Sequence, residues 1–158
     1  AVDIKSEVLV LAKRKVEAEY AAAGISEINN IKLMSQNIEQ IDNMLAPTDV
    51  IEKIYINFCN PWPKPAYKKR ILTHSKQLAK YKTFLKLGSE VWFKTDDDGL
   101  FKDSVKYFEE SGFIIKYITE DLHASGFTES IPTEHEKMFS EQGIKIKFLI
   151  AQYTTPSI

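Results

Sequence analysis

Along this chain the apolar positions switch between the two-residue period of a strand and the three-to-four-residue period of a helix. Val2-Asp3-Ile4 reads as the end of a strand. Ser6 can cap a helix over 7–23, with Val8, Leu11, Ala12 and Lys15 at helical spacing and Gly24 as terminator. Residues 30–34 read as a second strand, and Ile38, Ile41, Asp42 and Leu45 fit a short helix ended by Pro47. The clearest strand is 51–58, IEKIYINF. A helix over 75–87, closed by Gly88, leads to a strand over 90–94; a helix over 100–110, ended by Ser111-Gly112, leads to a strand over 113–118. A loop over 119–132 precedes a closing strand over 144–151.

Strands separated by helices predict a single α/β domain over 1–158, its strands paired in parallel through helical crossovers. Ligands of open α/β sheets bind at the carboxyl ends of the strands. That rule selects Asp3, the Ser35-Gln36-Asn37 turn, Asn60-Pro61-Trp62 and Thr95-Asp96-Asp97.

Composition narrows the class. The 158 residues are 44% hydrophobic with six Gly and six Pro, enough for a core and unlike a fibrous or disordered chain. No apolar run reaches the roughly 18 residues of a membrane span, and AVDIKSEVLV lacks the pattern of a signal peptide. The single Cys59 cannot form an internal disulfide, which fits a reducing compartment, and its place in a strand pattern predicts a buried, inert thiol. The net charge of −1 conceals a dipole. Residues 61–94 carry nine basic residues and one acid, a net +8; the rest carries twelve and twenty-one, a net −9. Such asymmetry points to a polyanion, nucleic acid first; a solvated lysine-rich helix face is the plainer alternative.

Each strand end offers chemistry. A carboxylate at Asp3 can accept from two ribose hydroxyls, or cap the following helix. The Asn37 amide can read an adenine edge, or cap a helix. In Asn60-Pro61-Trp62-Pro63 the prolines restrict the turn, the amide is aimed out of the sheet, and the indole offers a face for a flat base. This turn resembles the Asn/Asp-Pro-Pro-aromatic turn of amino-methyltransferases. Lys64, Lys68, Lys69 and Arg70, with Tyr67 interleaved, follow as a basic patch suited to phosphates. Asp96, Asp97 and Asp98 lack the alternation of a calcium loop; one is expected to bind substrate and the others to cap the next helix. Thr133 and Glu136 have capping-box spacing, and the surrounding loop is expected to close over substrate. No zinc signature and no Ser/His/Asp or Cys/His set stands out, so no metal is expected.

INFCNPWPKPAYKKRILTH resembles the central motif of bacterial tRNA (guanine-N7)-methyltransferases, which reads like NFxDPWPKxxHxKRRLT. FKTD at Phe93 to Asp96, DLHAS at Asp121 to Ser125 and PTEHE at Pro132 to Glu136 match in the same order, so the resemblance covers nearly the whole chain. It implies a cytoplasmic, S-adenosylmethionine-dependent enzyme acting on tRNA. The implied fold is a Rossmann-like α/β sheet, mostly parallel with an antiparallel C-terminal strand. The resemblance implies that Asp3, Asn37 and Asn60 hold the cofactor, with Asn60 also catalytic. It makes Lys64, Asp96, Thr133, Glu134, His135 and Glu136 substrate contacts, and Lys68, Lys69 and Arg70 RNA-binding cations. Asn37 and Asn60 stand where the family has carboxylates, Ala66 and Ile71 replace basic residues, and Tyr67 replaces His. The family's first strand and glycine-rich turn would precede residue 1, so the chain is expected to be the C-terminal part of a longer protein. A non-catalytic RNA-binding module and an amino-methyltransferase are the alternatives. Monomer and homodimer both remain open.

Overall fold

The computed structural model describes residues 1–154, and its contacts gather into two compact units, Ala1–Met44 and a second starting at Leu45. In the first unit, strand β1 (Val2–Asp3) pairs in parallel with β2 (Met34–Ser35), Val2 against Met34 and Asp3 against Ser35. Between them runs helix α1 (Ser6–Ala22). Its half-buried stripe is Leu9, Ala12, Val16 and Tyr20, so the inner face lies one residue from the expected register, and Val8 and Leu11 are exposed. Ser6 is the first helical residue rather than its cap: Lys5 holds the cap position without a side-chain bond. Gly24, at φ 72°, ends the helix as expected. The second strand is later than its apolar run because only Met34 and Ser35 meet β1. The expected short helix at Ile38 is a 3₁₀ turn, Ile38–Asn43, capped by Asn37.

The second unit is a four-stranded sheet in the order β3-β4-β6-β5. Strands β3 (Ile51–Asn57) and β4 (Leu85–Thr95) are parallel; β6 (Lys147–Tyr153) runs antiparallel to β4 and to β5 (Phe113–Thr119). Three strands thus share one direction and the last is inserted against them. Helix α2 (Ser75–Lys82) is shorter than its apolar pattern. Phe84 and Leu85 are buried, the Ile51 amide donates to Phe84 O at 2.8 Å, and Leu85 pairs with Ile51, so the ladder claims residues that helical periodicity extends into. Gly88, at φ 90°, lies inside β4 rather than ending a helix, where the β3–β4 register shifts.

Two apolar layers sandwich this sheet. On one side α2 and α3 (Asp98–Glu110) bring Leu78, Tyr81, Leu100, Phe101 and Phe108 over the sheet, with Phe101 stacked on Phe93 at 6.4 Å between centroids. On the other, Trp92, Leu122, Ile146, Phe148 and Ile150 form a cluster flanked by Phe58, Tyr117, Phe127 and Phe139. Phe139 belongs to α4 (Glu134–Glu141), a helix where a loop reading covered only the approach to it. No described helix is long and apolar enough to cross a membrane.

Candidate functional site

Strand β3 ends in a strained turn. Phe58 and Trp62 both have positive φ, 54° and 43°, and they are the only non-glycine residues described to do so. Bulky side chains in this region cost roughly 1–2 kcal/mol each and persist only where the surroundings fix them. Between them Asn60 forms an Asx turn, its Oδ1 accepting from the Trp62 amide at 3.0 Å. This leaves the Asn60 NH2 without a partner among the described residues. Asn60, Trp62, Pro63, Lys64 and Tyr67 line a cleft of about 340 Å³. The Arg70 guanidinium lies 4.3 Å from the Trp62 ring centroid, so the indole has a cation on one face. The residue next to Asn60, Cys59, is half-buried rather than fully buried as its strand pattern predicts, and desolvation pushes its thiol up to about 11.

Across from the turn stands α4. Its start is a complete capping box: the Glu136 amide donates to Thr133 Oγ1 at 3.1 Å, and Glu136 Oε2 accepts from the Thr133 amide at 3.4 Å. Glu134 and His135 are exposed, whereas Glu136 is 2% exposed and held by Lys94, whose Nζ donates to Glu136 Oε2 at 2.7 Å and to Ile131 O at 2.8 Å. Lys94 is itself 4% exposed, so both members of the pair lie inside. The Phe58 ring packs on His135 at 4.8 Å and Phe139 at 5.9 Å.

The three aspartates after β4 divide their work. Asp97 Oδ1 caps α3 through the Leu100 amide at 2.6 Å. Asp98 pairs with Lys147 at 2.7 Å, and that hydrogen bond holds its carboxyl below the usual range. Lys147 also donates to Asp96 O at 2.8 Å, while the Asp96 carboxylate has no hydrogen bond or ion pair among the described residues. No group of His, Cys, Asp or Glu among the described residues is arranged to hold a metal ion.

The basic segment is less free than its count suggests. Lys68 pairs with Asp103 at 2.6 Å, and the hydrogen bond raises the lysine pKa. Lys82 donates to Ser111 O, Lys86 to Glu52, and Lys94 to Glu136. Lys64 and Lys69 are exposed beside the turn.

In the first unit, Asp3 closes β1 and Asn37 follows β2, so both stand at the carboxyl end of a parallel pair. Asp3 Oδ1 accepts from the Lys5 amide at 2.7 Å, and Asn37 Oδ1 from the Glu39 amide at 3.0 Å. Sequence reasoning gave no role to Phe58, Lys94, Phe139 or Lys147. A lysine directly after the apolar run Val91-Trp92-Phe93 and within the strand was the available signal, since a lysine is buried only when paired.

Residues 1–149 match a family described as "Putative methyltransferase". The chain is 74% identical over 153 residues to a tRNA (guanine-N(7)-)-methyltransferase of Ruminiclostridium cellulolyticum, an overlap of 97% of this chain and 65% of the relative. It is 60% identical over 151 residues to a protein of the same name from Clostridium botulinum strain Alaska E43, covering 96% and 68%. The chain therefore spans about two thirds of the length of these relatives. A structure titled as a putative methyltransferase from Streptococcus mutans in complex with SAH matches at 15% identity and a TM-score of 0.56, over 96% of this chain and 73% of that one. That likeness establishes the fold: an α/β sheet of the Rossmann-like methyltransferase class, as the motif resemblance implied.

Proposed function

The chain belongs to the family described as putative methyltransferases, and from that premise we propose that it transfers a methyl group from S-adenosylmethionine to N7 of a guanine in tRNA. The observation that carries the reading is the Asn60 turn: an amide with a spare NH2, held between two left-handed aromatics in a cleft flanked by Lys64 and Tyr67. The names of the close relatives agree with it.

The residues present fit the cofactor. Asp3 keeps its second carboxylate oxygen for a ribose hydroxyl, and Asn37 keeps its NH2 for an adenine edge. When bound, the cofactor supplies the methyl group as an electrophile. Guanine N7 carries a lone pair and no proton, so no general base is needed, and an amide at position 60 serves where a carboxylate is usual. The Asn60 NH2 donates to guanine O6 or to the cofactor and aligns the reacting atoms; near-attack alignment supplies much of the rate. Asp96, the one aspartate of its trio whose carboxylate is not committed to α3 or Lys147, accepts from guanine N1 and N2, a pattern adenine lacks. Thr133, Glu134 and His135 present the exposed start of α4 to the substrate, while Glu136 acts from inside through Lys94. Lys64 and Lys69, with Lys68 and Arg70 behind them, face phosphates.

The test is transfer from labelled S-adenosylmethionine to unmodified tRNA by the full-length protein, followed by nucleoside analysis. The label is expected in 7-methylguanosine; label in a methylated exocyclic amine, or binding of tRNA without transfer, would replace this reading.

A further inference from the structure

Three contacts close a loop around Phe58. The Lys94 carbonyl accepts from the Phe58 amide at 2.9 Å, holding the backbone where β3 ends. The Lys94 side chain reaches Glu136 Oε2 at 2.7 Å and the Ile131 carbonyl at 2.8 Å, holding α4 and the backbone two residues before its capping turn. From α4, His135 and Phe139 close back on the Phe58 ring at 4.8 and 5.9 Å. Phe58 is one of the two described residues other than glycine with positive φ, and it stands two positions before Asn60. A strained residue keeps its conformation only where its surroundings over-determine it. Position 94 supplies the backbone bond whatever its side chain, and its lysine, through a buried ion pair, holds the helix that grips the ring.

We infer that Lys94 is a positioning residue for methyl transfer: through the Glu136 pair and α4 it fixes Phe58, and Phe58 fixes the aim of the Asn60 turn. The same link ties the exposed start of α4 to that turn, so substrate contacts at Thr133 to His135 and the orientation of Asn60 move as one body. A purely structural role would be different in kind. A buried ion pair replaced by apolar groups of similar volume is often no less stable, so an anchor that only fills space can be exchanged for Met and Leu at no cost to turnover. A directional anchor cannot.

This inference rests on the proposed reaction for its kinetic arm only. Cys59, between Phe58 and Asn60, is the only cysteine of the chain and is half-buried, so a change in its labelling rate reports opening of the turn without needing activity. The experiment compares full-length wild type with Lys94→Met, Lys94→Met/Glu136→Leu and His135→Ala. Labelling of Cys59 by a neutral thiol reagent is followed under native conditions, with the labelled peptide identified by mass. The double variant, which also removes the Glu136 half of the capping box, is expected to melt only a few degrees below wild type yet label about tenfold faster, because local opening at the turn becomes easier by more than global stability falls. His135→Ala, altered at an exposed position, is expected to accelerate labelling in the same direction. On unmodified tRNA the double variant is expected to lose about tenfold or more in kcat with KM within twofold, as misaligned reacting groups do. If Lys94→Met alone does not fold, the double variant and His135→Ala still decide. Wild-type labelling in both of these overturns the inference. If wild type transfers no methyl group, the proposed function fails, and the labelling rates alone still judge the link from Lys94 to the turn.

Discussion

Two adjacent lysines, Lys68 and Lys69, separate a cation that faces solvent from one already engaged. Lys68 donates to Asp103 at 2.6 Å, whereas Lys69 is exposed and makes no ion pair among the described residues. Each phosphate neutralised by a free cation contributes about 0.7–0.9 to the slope of log affinity against log salt concentration. Losing one such contact changes the ratio of affinities at 50 and 200 mM salt by about threefold. Lys69→Gln is therefore expected to flatten the slope by nearly one contact. Lys68→Gln is expected to flatten it by much less, because Asp103 already neutralises that charge. The assay is fluorescence anisotropy with labelled unmodified tRNA, titrated across that salt range, using full-length protein. Equal slopes for the two variants, or a larger loss from Lys68→Gln, would refute the division between engaged and free cations.

Three further outcomes follow from the site. Arg70→Gln frees one face of Trp62 and is expected to shift Trp62 emission in a Trp92→Phe background and to lower turnover, with a smaller change in salt slope than Lys69→Gln; an unaltered spectrum would remove Arg70 from the indole. Thr133→Ala breaks the capping box and is expected to cost about 1 kcal/mol, a fall of roughly 2–4 °C in melting temperature at this size, measured by calorimetry. Cys59 is neutral in the folded chain up to about pH 11, whereas an ordinary thiol ionises near 9, so ionisation of the unfolded chain pulls stability down between those values. Wild type is expected to lose about 2 kcal/mol more than Cys59→Ala as pH rises from 9 to 11, as read from denaturant midpoints; parallel losses would mean that the fold does not hold the thiol neutral.

How much of this was legible in the sequence varies with the kind of information. The strand expected over 51–58, found over Ile51–Asn57, and the turn after it stood out because a period-two apolar run meets Asn-Pro-Trp-Pro, where composition alone restricts the backbone; Phe58 falls outside the strand because it is already left-handed. The aspartate trio was legible only in part: Asp97 caps α3 as local spacing suggests, but Asp98, expected to cap as well, is engaged by Lys147, a partner remote in sequence. The end of α2 was not, because Phe84 and Leu85 suit a helical stripe and a buried strand equally well, and only the partner Ile51 decides. The register of α1 was missed by one residue for a similar reason: Val8 and Leu9 are both apolar, and the neighbours that distinguish them are remote in sequence. The Lys94–Glu136 pair spans forty-two residues, so neither partner announces the other. Positive φ at Phe58 and Trp62 was likewise invisible, because aromatic residues carry no signal for a conformation they disfavour.

The central claim is that the Asn60 turn is where transfer occurs and that its amide aligns a base having no proton to give. Single-turnover methylation of unmodified tRNA by full-length Asn60→Ala, with binding measured alongside, tests it most directly. The rate is expected to fall by about two orders of magnitude, the scale of lost alignment at a reacting centre, while tRNA affinity stays within about twofold. A variant that transfers the methyl group at the wild-type rate would contradict the account.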